Sequence, residues 1–289
     1  MQSQRWNEVY RLVGEVAREL PRGSRRFADR VIVLVFLWAA FHHRPISWAC
    51  RRANWTPWMQ RLLPRVPSPT TMSRRLRRGS VRALLDRVLE RAQGPLGEPL
   101  VHVIDGTGLE VRGHSKDRQA DIGYCVGRRS KGYKLHVLLA LSGAVAAWRL
   151  TPMSTSEKVM ALRMLRGMPQ LAYVVADGNY DSNLLHATVA QRGGQLVAPL
   201  RVSKVRRRQG RDTAGRARCA AMLEGPSPFG RDLLKSRNAI ERFFGNADSH
   251  SEALGDLPAW VRTHRRVRLW VHAKLIINAV RIRLLKKAA

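Results

Sequence analysis

The chain is 289 residues long, enough for one large domain or two smaller ones, and 45% of its residues are hydrophobic, ample for a core. Fifty-two lysines and arginines face only 21 acidic residues, a formal net charge of +31 that points to a polyanionic partner and leaves few carboxylates for any chemistry. Three scattered cysteines, Cys50, Cys125 and Cys219, form no CxxC pair and have no histidine at zinc spacing. They exclude a disulfide framework and a structural zinc site and fit a reducing cytoplasm.

The N-terminus (MQSQRWNEVYRLVGEVAREL) is polar and amphipathic, unlike a signal peptide. Its apolar positions Val9, Leu12, Val13 and Val16 predict a helix over Trp6 to Leu20. The most apolar stretch, Val31 to Phe41, is too short to span a bilayer and reads as a buried helix, so no membrane partner is expected. Ile46 to Ala53 reads as a short basic helix. In SPTTMSRRLRRGS, Ser68 is a good N-cap, Pro69 suits the first helical position and Gly79 the C-terminal end. The helix between them opens on Thr70 and Thr71 and carries Arg74, Arg75, Arg77 and Arg78, like the second helix of a helix-turn-helix entering the major groove of double-stranded DNA. A helical DNA-binding domain over residues 1–93 is expected, with a boundary in the Pro- and Gly-rich AQGPLGEP, Ala92 to Pro99.

Beyond the boundary the texture turns to strands. Val101 to Ile104, Lys134 to Leu141 and Ala144 to Leu150 form a meander, turned at Gly143. A helix follows over Ser156 to Met168, a strand over Tyr173 to Ala176, a helix over Ser182 to Arg192 and a strand over Gln195 to Leu200. This β-β-β-α-β-α-β-α order predicts an α/β fold with a mixed sheet of the ribonuclease H-like kind, a catalytic domain over residues 100–289. Arg201 to Arg218, with Arg206, Arg207 and Arg208, has no apolar periodicity and reads as a basic loop that could track a DNA backbone, within an insertion of about residues 201–233. Ser236 to Ser249 reads as a helix, and Trp260 to Leu285 as a basic helix.

Three acidic residues stand out in these contexts. Asp105 and Asp177 each end an apolar run, and Glu241 lies on a helix. Phosphodiester transfer uses two cations roughly 4 Å apart, one at the attacking and one at the leaving oxygen. Magnesium and manganese prefer carboxylate oxygen. An Asp on a central strand is placed to bridge the ions, with a second Asp on the adjacent strand and a longer Glu completing the cage. Lys131 and Lys134 flank the second strand and could hold a DNA phosphate; Lys134 shares a face with His136. Arg237 lies one helical turn before Glu241, placed to steady it or to touch phosphate.

The segments VIDGT, GRRSKGYKLHVLLALSG, VVADGNYDS and RNAIERFFG, with PSPTTMSRRLRR before them, make the chain resemble the DDE transposases of bacterial insertion sequences, of the IS4 and IS5 type. The resemblance implies Asp105, Asp177 and Glu241 as a catalytic triad binding two magnesium (or manganese) ions. It implies cleavage at transposon ends and transfer of the freed 3′-hydroxyl into target DNA. It further implies terminal repeats and target DNA as partners, a homodimer on DNA, and a place at the bacterial nucleoid. Of the tyrosine, arginine, glutamate, lysine signature around the Glu, Arg237 and Glu241 are kept, whereas Leu234 and Asp248 stand at the other two positions. Two other functions fit the same residues: a metal-dependent nuclease that cuts without joining, and a transposase-derived DNA-binding protein without catalysis.

Overall fold

The computed structural model describes residues 2–21, 27–111, 115–125, 127–201, 212–245 and 257–288. The chain begins with helices α1 (Gln2–Glu19), α2 (Asp29–Phe41), α3 (Ile46–Ala49), α4 (Pro57–Leu62), α5 (Pro69–Arg75) and α6 (Gly79–Gln93). It continues through β1 (Val101–Glu110), β2 (Asp121–Cys125), β3 (Arg128–Ala140), β4 (Val145–Pro152), α7 (Glu157–Arg166), β5 (Tyr173–Val175), α8 (Asn183–Ala190) and β6 (Gln195–Val197). Helices α9 (Ala214–Glu224), α10 (Phe229–Lys235), α11 (Asn238–Gly245) and α12 (His264–Ala288) complete it. Two compact units result, one of Met1–Pro95 with Pro258–Ala289, the other of Leu96–Asp248. Among the described residues no helix is long and apolar enough to cross a membrane.

In the first unit, α2 is apolar all round and buried from Ile32 to Phe41, because α1, α6 and α12 pack about it. Trp38 of α2 meets Trp6 at a ring-centroid distance of 4.6 Å and Trp55 at 5.2 Å. Helix α12 is held here by Val267, Trp270, Val271, Leu275 and Ile276. This grouping differs from a second domain running unbroken to residue 289: a basic helix is placed by its buried stripe, and that stripe faces α2 and α6.

Helix α5 starts as its cap predicts, with Ser68 Oγ accepting from the Thr71 N–H at 3.2 Å and Pro69 at the first position. It stops at Arg75, and Gly79 opens α6 instead of closing α5. The helix expected over Ile46 to Ala53 also stops early. After Ala49 the chain forms a separate 3-10 turn, Arg52–Asn54, and the Trp48 and Ala49 carbonyls accept from Asn54 Nδ2 at 2.8 Å and Trp55 Nε1 at 2.7 Å.

The second unit is built on a six-stranded mixed sheet. Strand β3 pairs antiparallel with β1 (Asp105 opposite Val137) and, along its other edge, with β4 and β2. Strands β1, β5 and β6 run parallel. The order β4-β3-β1-β5-β6 is the ribonuclease H-like arrangement expected from the sequence, with Gly143 (φ +85) turning β3 into β4. Leu165 of α7 and Leu185 and Val189 of α8 close the core against Ile104, Leu138, Val174 and Leu196.

Two expectations change. Strand β2 adds to the predicted five. Residues Ala214 to Arg218 are not loop but the start of α9, and α10 follows, so the described part of the 201–233 insertion is helical. Helix α9 packs on α8 and β6 through Gly215, Arg216 and Cys219, a face too small and too polar to show as an apolar stripe.

Candidate active site

Parallel pairing puts Val101 opposite Tyr173 and Val103 opposite Val175. Two residues further along come Asp105, still within β1, and Asp177, just past the end of β5. Strand β1 does not end at Asp105, as the apolar run suggests, but continues to Glu110 on its pairing with β3. Asp105 Oδ1 accepts from the Gly106 N–H at 2.7 Å. Asp177 opens a 3-10 turn, Gly178–Tyr180, its Oδ1 accepting from the Asn179 N–H at 2.8 Å and its Oδ2 from Asn179 Nδ2 at 3.1 Å. Burial pushes the Asp105 carboxyl up to about 6, and the negative charges of Asp177 and Glu157 add to it, against the Gly106 N–H and Arg237.

Glu157 was not singled out in the sequence. It is the first residue of α7, ion-paired to Lys134 Nζ at 2.8 Å. Tyr180, from the quoted VVADGNYDS, is 1% exposed, its hydroxyl has no hydrogen-bond partner among the described residues, and Glu157, Asp105 and Asp177 all act on it electrostatically. His136 is buried, with Nε2 3.0 Å from Thr151 Oγ1, and burial first and Lys134 second push it down to about 4. The signal for Glu157 was faint: a scarce acidic residue opening a helix directly after the hairpin.

Glu241 stands apart. Helix α11 packs against β1 and buries Ile240 and Phe243, but the Glu241 side chain is 56% exposed and paired to Arg237 Nη2 at 3.1 Å. Arg237, not Glu241, faces Asp105 electrostatically. Among the described residues no three His, Cys, Asp or Glu side chains converge closely enough to enclose a metal. The chemistry of the two aspartates still fits hard divalent cations: all-oxygen donors and a buried carboxylate whose charge burial and Asp177 oppose.

Below this site, Asp181 is fully buried. It accepts from Arg216 Nε at 3.0 Å, Arg216 Nη2 at 3.1 Å and the Arg201 N–H at 2.6 Å, with His186 Nε2 at 3.2 Å. This network ties the segment carrying Asp177 to α9.

Of the residues named for DNA, Thr70, Arg74, Arg77 and Arg78 are exposed and Thr71 is half-buried. Arg75 is a correction. It is 5% exposed and turned into the first unit, where Nη1 donates to the Phe27 carbonyl at 2.7 Å and Nη2 to Asp29. Lys131 Nζ donates to the Ser115 carbonyl at 2.8 Å, and Lys134 is engaged with Glu157. Arg206, Arg207 and Arg208 lie outside the described residues.

Residues 96–276 match the family described as Transposase DDE domain. No curated protein matches the chain. Among solved structures, a chain of the simian T-cell lymphotropic virus intasome in complex with PP2A regulatory subunit B56 gamma is similar at 14% identity and a TM-score of 0.27, over 70% of this chain. This chain spans 64% of that one's length.

Proposed function

The chain belongs to the DDE transposase family, with more than half its length inside the family's domain, and from that premise we propose that it cuts double-stranded DNA at transposon ends and joins the freed 3′-hydroxyl to target DNA. The observation that carries this is the parallel pairing of β1 with β5, which puts Asp105 in β1 and Asp177 just past the end of β5, with the Asp105 carboxyl pushed up to about 6 by burial and by negative neighbours that include Asp177. Asp105 and Asp177 would hold magnesium or manganese, which when bound neutralises phosphate charge and polarises the attacking and leaving oxygens. Glu241 joins from α11 when Arg237 passes from it to a DNA phosphate. Their ion pair is half in solvent and worth at most about 1 kcal/mol, a small barrier to the exchange. Bringing two ends together calls for at least two copies of the chain on DNA.

In the first unit, the exposed Arg74, Arg77 and Arg78 carry the sequence-independent part of DNA affinity. Replacing all three with alanine is expected to weaken binding and lower the slope of log K against log salt by about 3, close to one per lost phosphate contact. An unchanged slope would remove α5 from the interface.

The reading itself is tested by strand transfer. Purified protein is incubated with labelled DNA carrying the ends that flank its gene and a target plasmid, with magnesium or with chelator. Metal-dependent joined product is expected, absent in Asp177→Asn while that variant still binds the end DNA. Cleavage without joining, even of pre-cut ends, would make the protein a nuclease. Binding with neither cleavage nor joining would make it a DNA-binding protein.

A further inference from the structure

We propose that a cavity in the first unit binds a nucleotide, with the base against Trp260 and an apolar lining and the phosphate on Arg77, Arg265 and Arg266. The ligand is either a free nucleotide or an unpaired one in a DNA strand. The inference goes beyond the proposed function: it stands on the first unit alone and rests on neither the carboxylates nor strand transfer.

The cavity has a volume of about 300 Å3, at the lower end of small-molecule pockets, roughly 300–1,000 Å3. Its walls come from α2, the turn into α3, α5 with the turn after it, and the segment that leads into α12. Phe36, Leu76, Val261 and Trp270 make the lining apolar, and all four are buried. Trp260 lines the cavity too, but is 42% exposed. It offers an aromatic surface on which a base can stack, and such stacking accepts any base.

The charge around the cavity selects the rest of the ligand. Arg77 follows α5, and Arg265 and Arg266 lie in the first turn of α12; all three line the cavity and are exposed. Among the described residues none of the three guanidinium groups has an ion-pair or side-chain hydrogen-bond partner. The first turn of α12 has no acidic residue, and its unpaired N–H groups add positive charge where cations are least favoured. Burial first, then Arg77 and Arg266, pull the Arg265 pKa below its ordinary value, so Arg265 feels both neighbours as like charges. A phosphate relieves that repulsion and matches the guanidinium fork. A flat apolar group joined to a phosphate satisfies both parts of the site, and a nucleotide is such a ligand.

The backbone is strained at the same walls. Among the described residues two non-glycines have positive φ: His43 (φ +49), just before Arg44 in the lining, and Thr263 (φ +71), two residues before Arg265. For a β-branched residue this is a costly conformation, and strain of this kind gathers at binding sites.

The test is isothermal titration calorimetry on the full chain with dAMP, with a short single-stranded oligo(dA), and with a blunt oligo(dA)·oligo(dT) duplex. Trp260→Ala is expected to weaken binding of a single-stranded probe at least about fivefold, the stacking contribution of one base. Trp260→Phe, which keeps a ring, should recover most of it. Arg265→Gln combined with Arg266→Gln should weaken the same binding and flatten its salt dependence. Arg61→Gln, an exposed arginine on α4 outside the cavity walls, is the control for loss of positive charge anywhere. Duplex binding should respond to Trp260→Ala no more than to Arg61→Gln, because its bases are already stacked. A Trp260 effect on dAMP identifies a free-nucleotide site, and one on oligo(dA) alone identifies an unpaired base of a strand; either supports the proposal. Equal behaviour of the 260 and 61 alanine and glutamine variants on both single-stranded probes overturns it. So does deoxyribose phosphate, which lacks the base, binding as tightly as dAMP, since the arginines would then be an anion site without a base subsite. None of these outcomes touches the proposed cleavage and joining, which are read by strand transfer.

Discussion

Asp105→Asn is expected to abolish strand transfer by on the order of 10³-fold while making the metal-free protein more stable. The catalytic loss follows from the proposed role of Asp105 in holding cations that contribute several kcal/mol to phosphoryl transfer. The gain in stability follows from the cost of charging that carboxylate. Its pKa in the folded protein is about 6 against an ordinary value of 3.8, with burial the first cause and the negative charges of Asp177 and Glu157 behind it. A folded-state value above the unfolded one means that the native protein holds its proton more tightly. The penalty is therefore absent below about pH 4, grows as pH rises through the window up to about 6, and is fully present above it, at about 1–3 kcal/mol. Asn keeps the shape and the acceptor for the Gly106 N–H but carries no charge. Urea unfolding at pH 8 and at pH 4, both in chelator, checks this: the Asn variant should lead at pH 8 and match at pH 4. Manganese should raise the stability of the parent and leave the variant unmoved. A variant less stable than the parent at pH 8 would mean that the carboxylate is satisfied within the fold and is no cation site.

Arg216→Ala is expected to cost the second unit about 3–5 kcal/mol, the effect of removing one partner from a buried ion pair and leaving the other's charge behind. Asp181 is fully buried and Arg216 nearly so, and the two meet through paired hydrogen bonds. The Arg216 guanidinium is raised above its ordinary range chiefly by the hydrogen bond to Asp181. Asp181 lies four residues beyond Asp177 on the same turn, so strand transfer should fall with stability. Arg216→Lys, a point charge in place of a planar fork, should recover only part of either. Arg218→Ala, on the exposed side of α9, should stay within about 0.5 kcal/mol of the parent in the same urea titrations. Equal behaviour of the 216 and 218 variants would show that the Asp181 network does not hold the site.

Much of the fold could be read locally. The apolar runs before Asp105 and Asp177 were legible as strands because buried parallel strands are continuously apolar. The start of α5 was legible because a serine N-cap and a first-turn proline act within one turn of chain. Strand β2 was not, because its Ile122 and Tyr124 face solvent and only pairing with β3 makes it a strand. Helix α9 was not, because what holds it is a buried arginine answering an aspartate 35 residues earlier. Arg75 looks like its exposed neighbours in sequence, and only Asp29, 46 residues away, turns it inward.

The candidate site divides the same way. Sequence alone determined that Asp105 follows the apolar start of one strand and Asp177 the end of another, because continuous apolar runs mark buried strands, and the two strands pair in parallel. Tertiary structure alone decided their surroundings. It packed Glu157 and Lys134 against Gly106, buried the Tyr180 hydroxyl without a partner among the described residues, and paired Arg237 with Glu241. Those placements depend on where α7 and α11 land on the sheet. Long-range packing sets that position, and no short pattern of residues encodes it.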